Sequence, residues 1–121
     1  MKKVILASIF FSFLFVGLNF QANAQKAKTY KKGQVVALAD VIGNVKDKQL
    51  TKARAKELVE ASSPLVFLYN KKIYFVINED GSFAFKQLMN YAANQKVAIT
   101  GIMKTISGIN YIIMTDIESN D

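Results

Sequence analysis

The 121-residue chain has no cysteine and no histidine, and it has a single proline. Without cysteine, the disulfides that staple many small exported domains are excluded. So is a lipid anchor attached through a cysteine at a cleavage site. Without imidazole or thiolate, zinc, copper and haem sites lose the donors they need. The same absences remove the commonest general base and the strongest side-chain nucleophile. The expectation is a protein without a metal or cofactor, and not an enzyme.

Long apolar runs are also missing, except at the start. Lys2 and Lys3 precede an apolar stretch from Val4 to Leu18, and Ala22-Asn23-Ala24 then supplies the small residues a signal peptidase requires. The stretch is short for spanning a bilayer, which takes roughly 20 residues, so an uncleaved membrane anchor is the lesser reading. Residues 1–24 are read as a signal peptide cleaved after Ala24, which places the protein in the periplasm or outside the cell, with no integral membrane span in the mature chain. That leaves 121 − 24 = 97 residues, enough for one small domain. Its stability must come from a single core of Ile, Val, Leu and Phe.

Two of the sixteen basic residues lie in the signal, so 16 − 2 = 14 Lys and Arg face nine acids in the mature chain. This excess favours anionic surfaces. The lysines are spread out rather than massed, however, and so serve solubility as readily as a site.

Residues 25–32, "QKAKTYKK", are polar and basic and read as a flexible arm. "GQVVALADVIG" reads as a first strand bounded by Gly33 and Gly43. Thr51 can cap a helix in which Ala55, Leu58 and Val59 recur at helical spacing, and Pro64 stops it. "LVFLY" and "IYFVI" flank Asn70-Lys71-Lys72 as a hairpin, and "NEDGS" is a turn. Phe85, Leu88, Met89 and Ala92 give a second helical stripe. Val97, Ile99 and Met103, then Ile109, Tyr111, Ile113 and Ile117, alternate along two strands joined around Ser107-Gly108, with Gly101 marking a bulge or bend. Five short strands, with two short helices and one of these between the third and fourth strands, is the order of a mainly β, OB-fold-like barrel spanning residues 33–118. The rival is an open sheet with both helices on one face.

Gly33, Val35, Val36, Ala55, Pro64, "KIYFV", "KVAITG" and "GINYII" together resemble the spacing of a group of small exported bacterial OB-fold-like proteins, most of them uncharacterised. The likeness runs over residues 33–118 and implies the same barrel. This chain departs where that group carries cysteine and histidine. Asp40, Thr51, Arg54 and Leu58 stand at those four positions, so any metal or thiol chemistry of the group does not carry over.

Carboxylates remain. Glu57 and Glu60 lie one turn apart on one helix, and Glu79 and Asp80 share a turn; neither pair faces across a cleft as a hydrolase requires. "NEDGS" lacks the spaced ligands of a calcium loop. The aromatic set on the hairpin is more informative. In OB barrels the second and third strands present stacking aromatics, and lysines meet backbone charge. Tyr69, Lys71, Lys72 and Tyr74 are the candidate ligand-binding residues, against the alternative that alternate hairpin residues simply fill the barrel. The expected function is a non-enzymatic binding module, monomeric or weakly oligomeric, whose partner is an anionic polymer, a peptide or an envelope protein. The alternative is a structural or stress-related envelope protein that docks another protein along an exposed strand edge. A hydrolase ranks third.

Overall fold

The computed structural model describes residues 26–121. The expected signal peptide and its cleavage site lie outside the described residues. Along the chain come β1 (Lys28–Ala37), α1 (Leu38–Ile42), α2 (Lys52–Glu60), β2 (Leu65–Tyr69), β3 (Lys72–Asn78), α3 (Phe85–Asn90), β4 (Val97–Ile106) and β5 (Ile109–Ser119). The strands close into a barrel in the order β1-β2-β3-β5-β4, with β4 returning to β1. Neighbours are antiparallel except β3 and β5, which run parallel from Phe75↔Tyr111 to Asn78↔Met114. This is the mainly β, closed five-strand barrel that the element order predicts. The open sheet is ruled out, because β1 pairs with β2 through one half and with β4 through the other.

That double pairing corrects two readings of β1. The basic stretch expected as a flexible arm is barrel wall from Lys28 onward. Lys28, Thr29 and Tyr30 oppose Gly101, Thr100 and Ile99, and the Thr29 and Thr100 hydroxyls lie 2.8 Å apart. A bulge between Tyr30 and Gly33, with Lys32 at φ 64°, bends the strand from one neighbour to the other. The bulge breaks the period-two pattern that would have revealed a strand. At its far end the strand stops at Ala37, not Gly43, and Leu38–Ile42 forms a short helix, a third where two were expected. Leu38 and Val41 lie one turn apart there, and an unbroken apolar run does not by itself separate strand from helix.

The other elements follow their local chemistry. Thr51 caps α2, its hydroxyl accepting from the Arg54 amide at 3.1 Å, and Ala55 is fully buried while Leu58 and Val59 pack beside it. The β2–β3 hairpin turns on Asn70 and Lys71 alone, at φ 54° and 67°, so Lys72 belongs to β3. Two left-handed residues between directly paired strands make the turn whose twist suits a hairpin. Ser107 and Gly108, at φ 52° and 82°, turn β4 into β5 the same way.

Gly101 lies at the predicted irregularity. Thr100 opposes Asp116 but Gly101 opposes Met114, so Thr115 is an extra residue in β5. One inserted residue reverses which side chains point inward. Beyond it Ile117 packs against the core, whereas before it Ile112 and Met114 are buried and Tyr111 and Ile113 face outward.

The core fills the barrel with Val35, Leu65, Phe67, Val76, Ile99 and Ile112. All three helices lie in the β1–β2 and β3–β4 connections, which fall at the same end of the barrel, and Leu88 and Ala55 bring α3 and α2 onto the core there. The opposite end has only the two tight turns and the start of β1.

Candidate functional site

The turn end of the barrel is lined by aromatic and basic side chains. Directly opposed residues on antiparallel strands share a face. Phe67 points into the barrel, so Tyr74, its partner, does too, and the next inward pair is Tyr69 with Lys72. On β1, Lys28 and Tyr30 oppose the inward-facing Gly101 and Ile99. Strand pairing thus collects Tyr30, Tyr69 and Tyr74 at the rim. The Tyr30 and Tyr69 rings meet edge to face at 5.4 Å, and Tyr69 and Tyr74 are 6.4 Å apart. Phe67 stacks beneath Tyr69 at 6.0 Å. Burial raises the Tyr30 pKa above the ordinary phenol value, and the neighbouring phenols Tyr69 and Tyr74 add to the shift. Tyr30 therefore stays a hydrogen-bond donor throughout the physiological range. Among the described residues, none of the three hydroxyls has a hydrogen-bond partner.

Beside this cluster runs a cleft of about 470 Å³ lined by Lys26, Lys28, Tyr30, Ile102 and Met103. Among the described residues it is chemically one-sided, with two ammonium groups, two apolar side chains and a phenol, and no carboxylate. The described residues contain one ion pair, Arg54 with Asp40, so neither lysine has a described acidic partner.

The four sequence-predicted residues divide between core and surface. Tyr74 is 8 % exposed and belongs to the core, as barrel filling requires. Tyr69 is half-buried at the rim, and Lys72 is exposed on the same face. Lys71 sits at the tip of the turn, exposed and outside the cluster. All four thus lie at the turn end of the barrel, Tyr69, Tyr74 and Lys72 on its inward face and Lys71 at the tip of the turn. Sequence reasoning missed Lys26, Lys28, Tyr30, Ile102 and Met103. The signal for Tyr30 was present, since Thr29 and Tyr30 are strand formers and Lys28 and Tyr30 keep period two.

A second aromatic group lies on the outside of β3 and β5. Phe75 is 6.1 Å from Tyr111, its parallel partner, and 6.2 Å from Phe83, which stacks on Phe85 at 5.0 Å. Phe83 is 51 % exposed, and Ile106 and Ile109, flanking the β4–β5 turn, are 57 % and 43 % exposed.

The carboxylates do structural work. Asp80 accepts from the Ser82 hydroxyl at 2.6 Å and amide at 2.9 Å, which lowers its pKa and shapes the turn. Glu57, Glu60 and Glu79 are exposed. Asp40 receives both terminal nitrogens of Arg54, at 2.8 and 3.2 Å, tying α1 to α2. Among the described residues no three of His, Cys, Asp and Glu cluster as metal ligands, and no helix is long and apolar enough to cross a membrane.

No protein family, curated protein or solved structure matches this chain.

Proposed function

We propose that this protein is an exported, non-enzymatic binding module that holds an anionic ligand at the turn end of its OB-like barrel. The observation that carries the reading is the lysine-bordered tyrosine cluster with its adjoining cleft. Tyrosine rings offer stacking faces, their hydroxyls donate to oxyanions, and the surrounding ammonium groups supply charge. Export rests on the N-terminal pattern of Lys2, Lys3, the apolar run and Ala22-Asn23-Ala24, and on the resemblance to small exported OB-fold-like proteins. Nucleic acid as the ligand is a fold-level analogy that export disfavours.

The test is titration of the purified protein with an anionic polysaccharide such as heparin at low and high salt. Binding should weaken steeply as salt rises, because charges at a rim are screened within about 8 Å at physiological ionic strength. Changing Lys28 and Lys72 to Ala should remove most of it. Binding indifferent to both salt and these lysines would defeat the reading.

Docking of another envelope protein is the second reading, and the exposed Phe83, Ile106 and Ile109 favour it. Such docking would use the outer apolar strip, because the described strands close into a barrel in which most strand edges are paired. It predicts capture that resists salt and is lost in Phe83→Ser. A hydrolase would require turnover by the purified protein that vanishes in Glu57→Gln or Glu79→Gln.

A further inference from the structure

The cleft beside β1 has a composition that selects among anions. Ile102 and Met103 are consecutive on β4, and consecutive strand residues point to opposite faces. The cleft therefore straddles the barrel rim, with Met103 reaching it from the inner side and Ile102 from the outer. Below it the barrel is solid, because Val97, Ile99 and Ile112 are fully buried. A ligand must lie across the rim rather than descend into the core. Its apolar body would cover Met103, Ile102 and the Tyr30 ring, and its charged end would meet Lys26 and Lys28. A volume of about 470 Å³ lies within the usual range for small-molecule sites.

Resting on the binding-module reading above, we propose that this cleft takes a small amphipathic monoanion, a carboxylate or similar oxyanion joined to one apolar body. Each half of the site needs its own half of the ligand. An inorganic anion would gain only exposed lysine contacts, which are individually weak in water. A neutral apolar molecule would leave the two ammonium groups of the cleft without a counter-charge. Only a molecule with both parts uses the apolar floor, the Tyr30 phenol and the two cations together. The apolar body has two possible sources, a flat aromatic ring or an acyl chain. Both share this chemistry, since thioether and tyrosine surfaces accept either.

The experiment uses protein expressed from the full-length chain, titrated by calorimetry with 2-naphthoate, 2-naphthol, decanoate, decanol and inorganic phosphate. With no tryptophan and only five tyrosines in the chain, tyrosine ring resonances report the location directly. The expected result is saturable binding of 2-naphthoate, decanoate or both, at least about fivefold tighter than the matching alcohol and than phosphate, with the Tyr30 and Tyr69 rings shifting. Lys28→Ala should weaken the anion by about fivefold and leave the alcohol unchanged, and Met103→Glu should abolish anion binding. Both variants must keep the unfolding midpoint of the parent, and a variant at Ile102 (Ile102→Glu) replaces Met103→Glu if that one does not. Which carboxylate binds tells the ring from the chain. Equal binding of alcohol and carboxylate, or no effect of Lys28→Ala, overturns the proposal. If heparin binds with salt sensitivity while both carboxylates are refused, the small-ligand inference fails and the binding-module reading survives. If heparin is refused as well, both fall.

Discussion

A methyl group added at Gly33 would fall within the ring of Phe67, and one added at Gly101 would collide with the carbonyl of Ile113. The two collisions differ in what can yield. Phe67 is fully buried but is a side chain, so Gly33→Ala should cost about 1–3 kcal/mol through overpacking. At Gly101 the obstacle is backbone held in the β4–β5 ladder, so the strands must part and the loss should exceed that of Gly33→Ala. Gly81 provides the contrast, with φ 91° and open space around it. Its substitution by Ala should cost only about 1–2 kcal/mol, from the left-handed backbone alone. Urea denaturation of the three variants checks this order. Gly101 was legible in the sequence because a glycine inside an alternating run marks a bend. Gly33 was read as a boundary, since the ring lying over it belongs to another strand. Asp121 shows the same dependence on distant partners. Its carboxylate accepts from the Asn94 side chain and from the Lys96 and Gln95 amides, and these bonds lower its pKa. A lowered folded-state pKa gives stability that is complete above the unfolded value of about 3.9 and is lost as pH falls through the folded value. Parent and Asp121→Ala should therefore differ by a constant urea midpoint from pH 7 to 5, and the difference should shrink below about pH 4.

Turns and caps act at the scale of the element, and there local chemistry was mostly legible. Thr51 announced α2, Pro64 its end, and the hairpin lay between two apolar runs. The two-residue length of the β2–β3 turn was not legible, because neither residue is glycine and Lys72 looks as polar as Lys71. Asn70 tolerates left-handed geometry, but Lys71 at φ 67° bears a strain that glycine would not. Lys71→Gly should thus stabilise the protein, by about 0.5–1 kcal/mol once the greater freedom of glycine in the unfolded chain is subtracted. This sign is opposite to that expected of glycine in a strand, as it would be had the turn spanned three residues with Lys71 extended. Thermal unfolding distinguishes the two, with a rise of a few degrees expected for a domain of this size. The exposed face of β5 was the least legible element. Ile109, Tyr111, Ile113 and Ile117 share odd parity in the sequence, but Thr115 inserts one residue and the interior goes to Ile112 and Met114. Thr115 carries no compositional mark of its own, and the glycine that marks the irregularity lies on the partner strand, so parity past it cannot be read locally.

For the molecule as a whole, the important join is between the start of β1 and β4, because it turns a sheet into a barrel and builds the candidate site. Its residues were the ones read as a flexible arm, so barrel order was legible while the cleft was not. Lys28 and Tyr30 reach the candidate site only through pairing with a strand from the far end of the chain. Deleting residues 26–31 tests this join. The deletion removes the pairs of Lys28, Thr29 and Tyr30 with Gly101, Thr100 and Ile99, the Thr29–Thr100 hydroxyl contact, and the Tyr30 ring from Tyr69. Losing the burial of one aromatic ring and a few ladder hydrogen bonds should cost about 3–5 kcal/mol. A second consequence separates this from ordinary destabilisation. The stretch of β4 that opposed β1 becomes an unpaired edge beside the fully buried Ile99, and such edges template pairing with other chains. The shortened protein should therefore associate in a concentration-dependent way that sedimentation at two loading concentrations detects, and the parent should not. A shortened protein that unfolds at the parent's urea midpoint and sediments as the parent does would mean that β1 closes nothing, and the rim cleft would lose its wall.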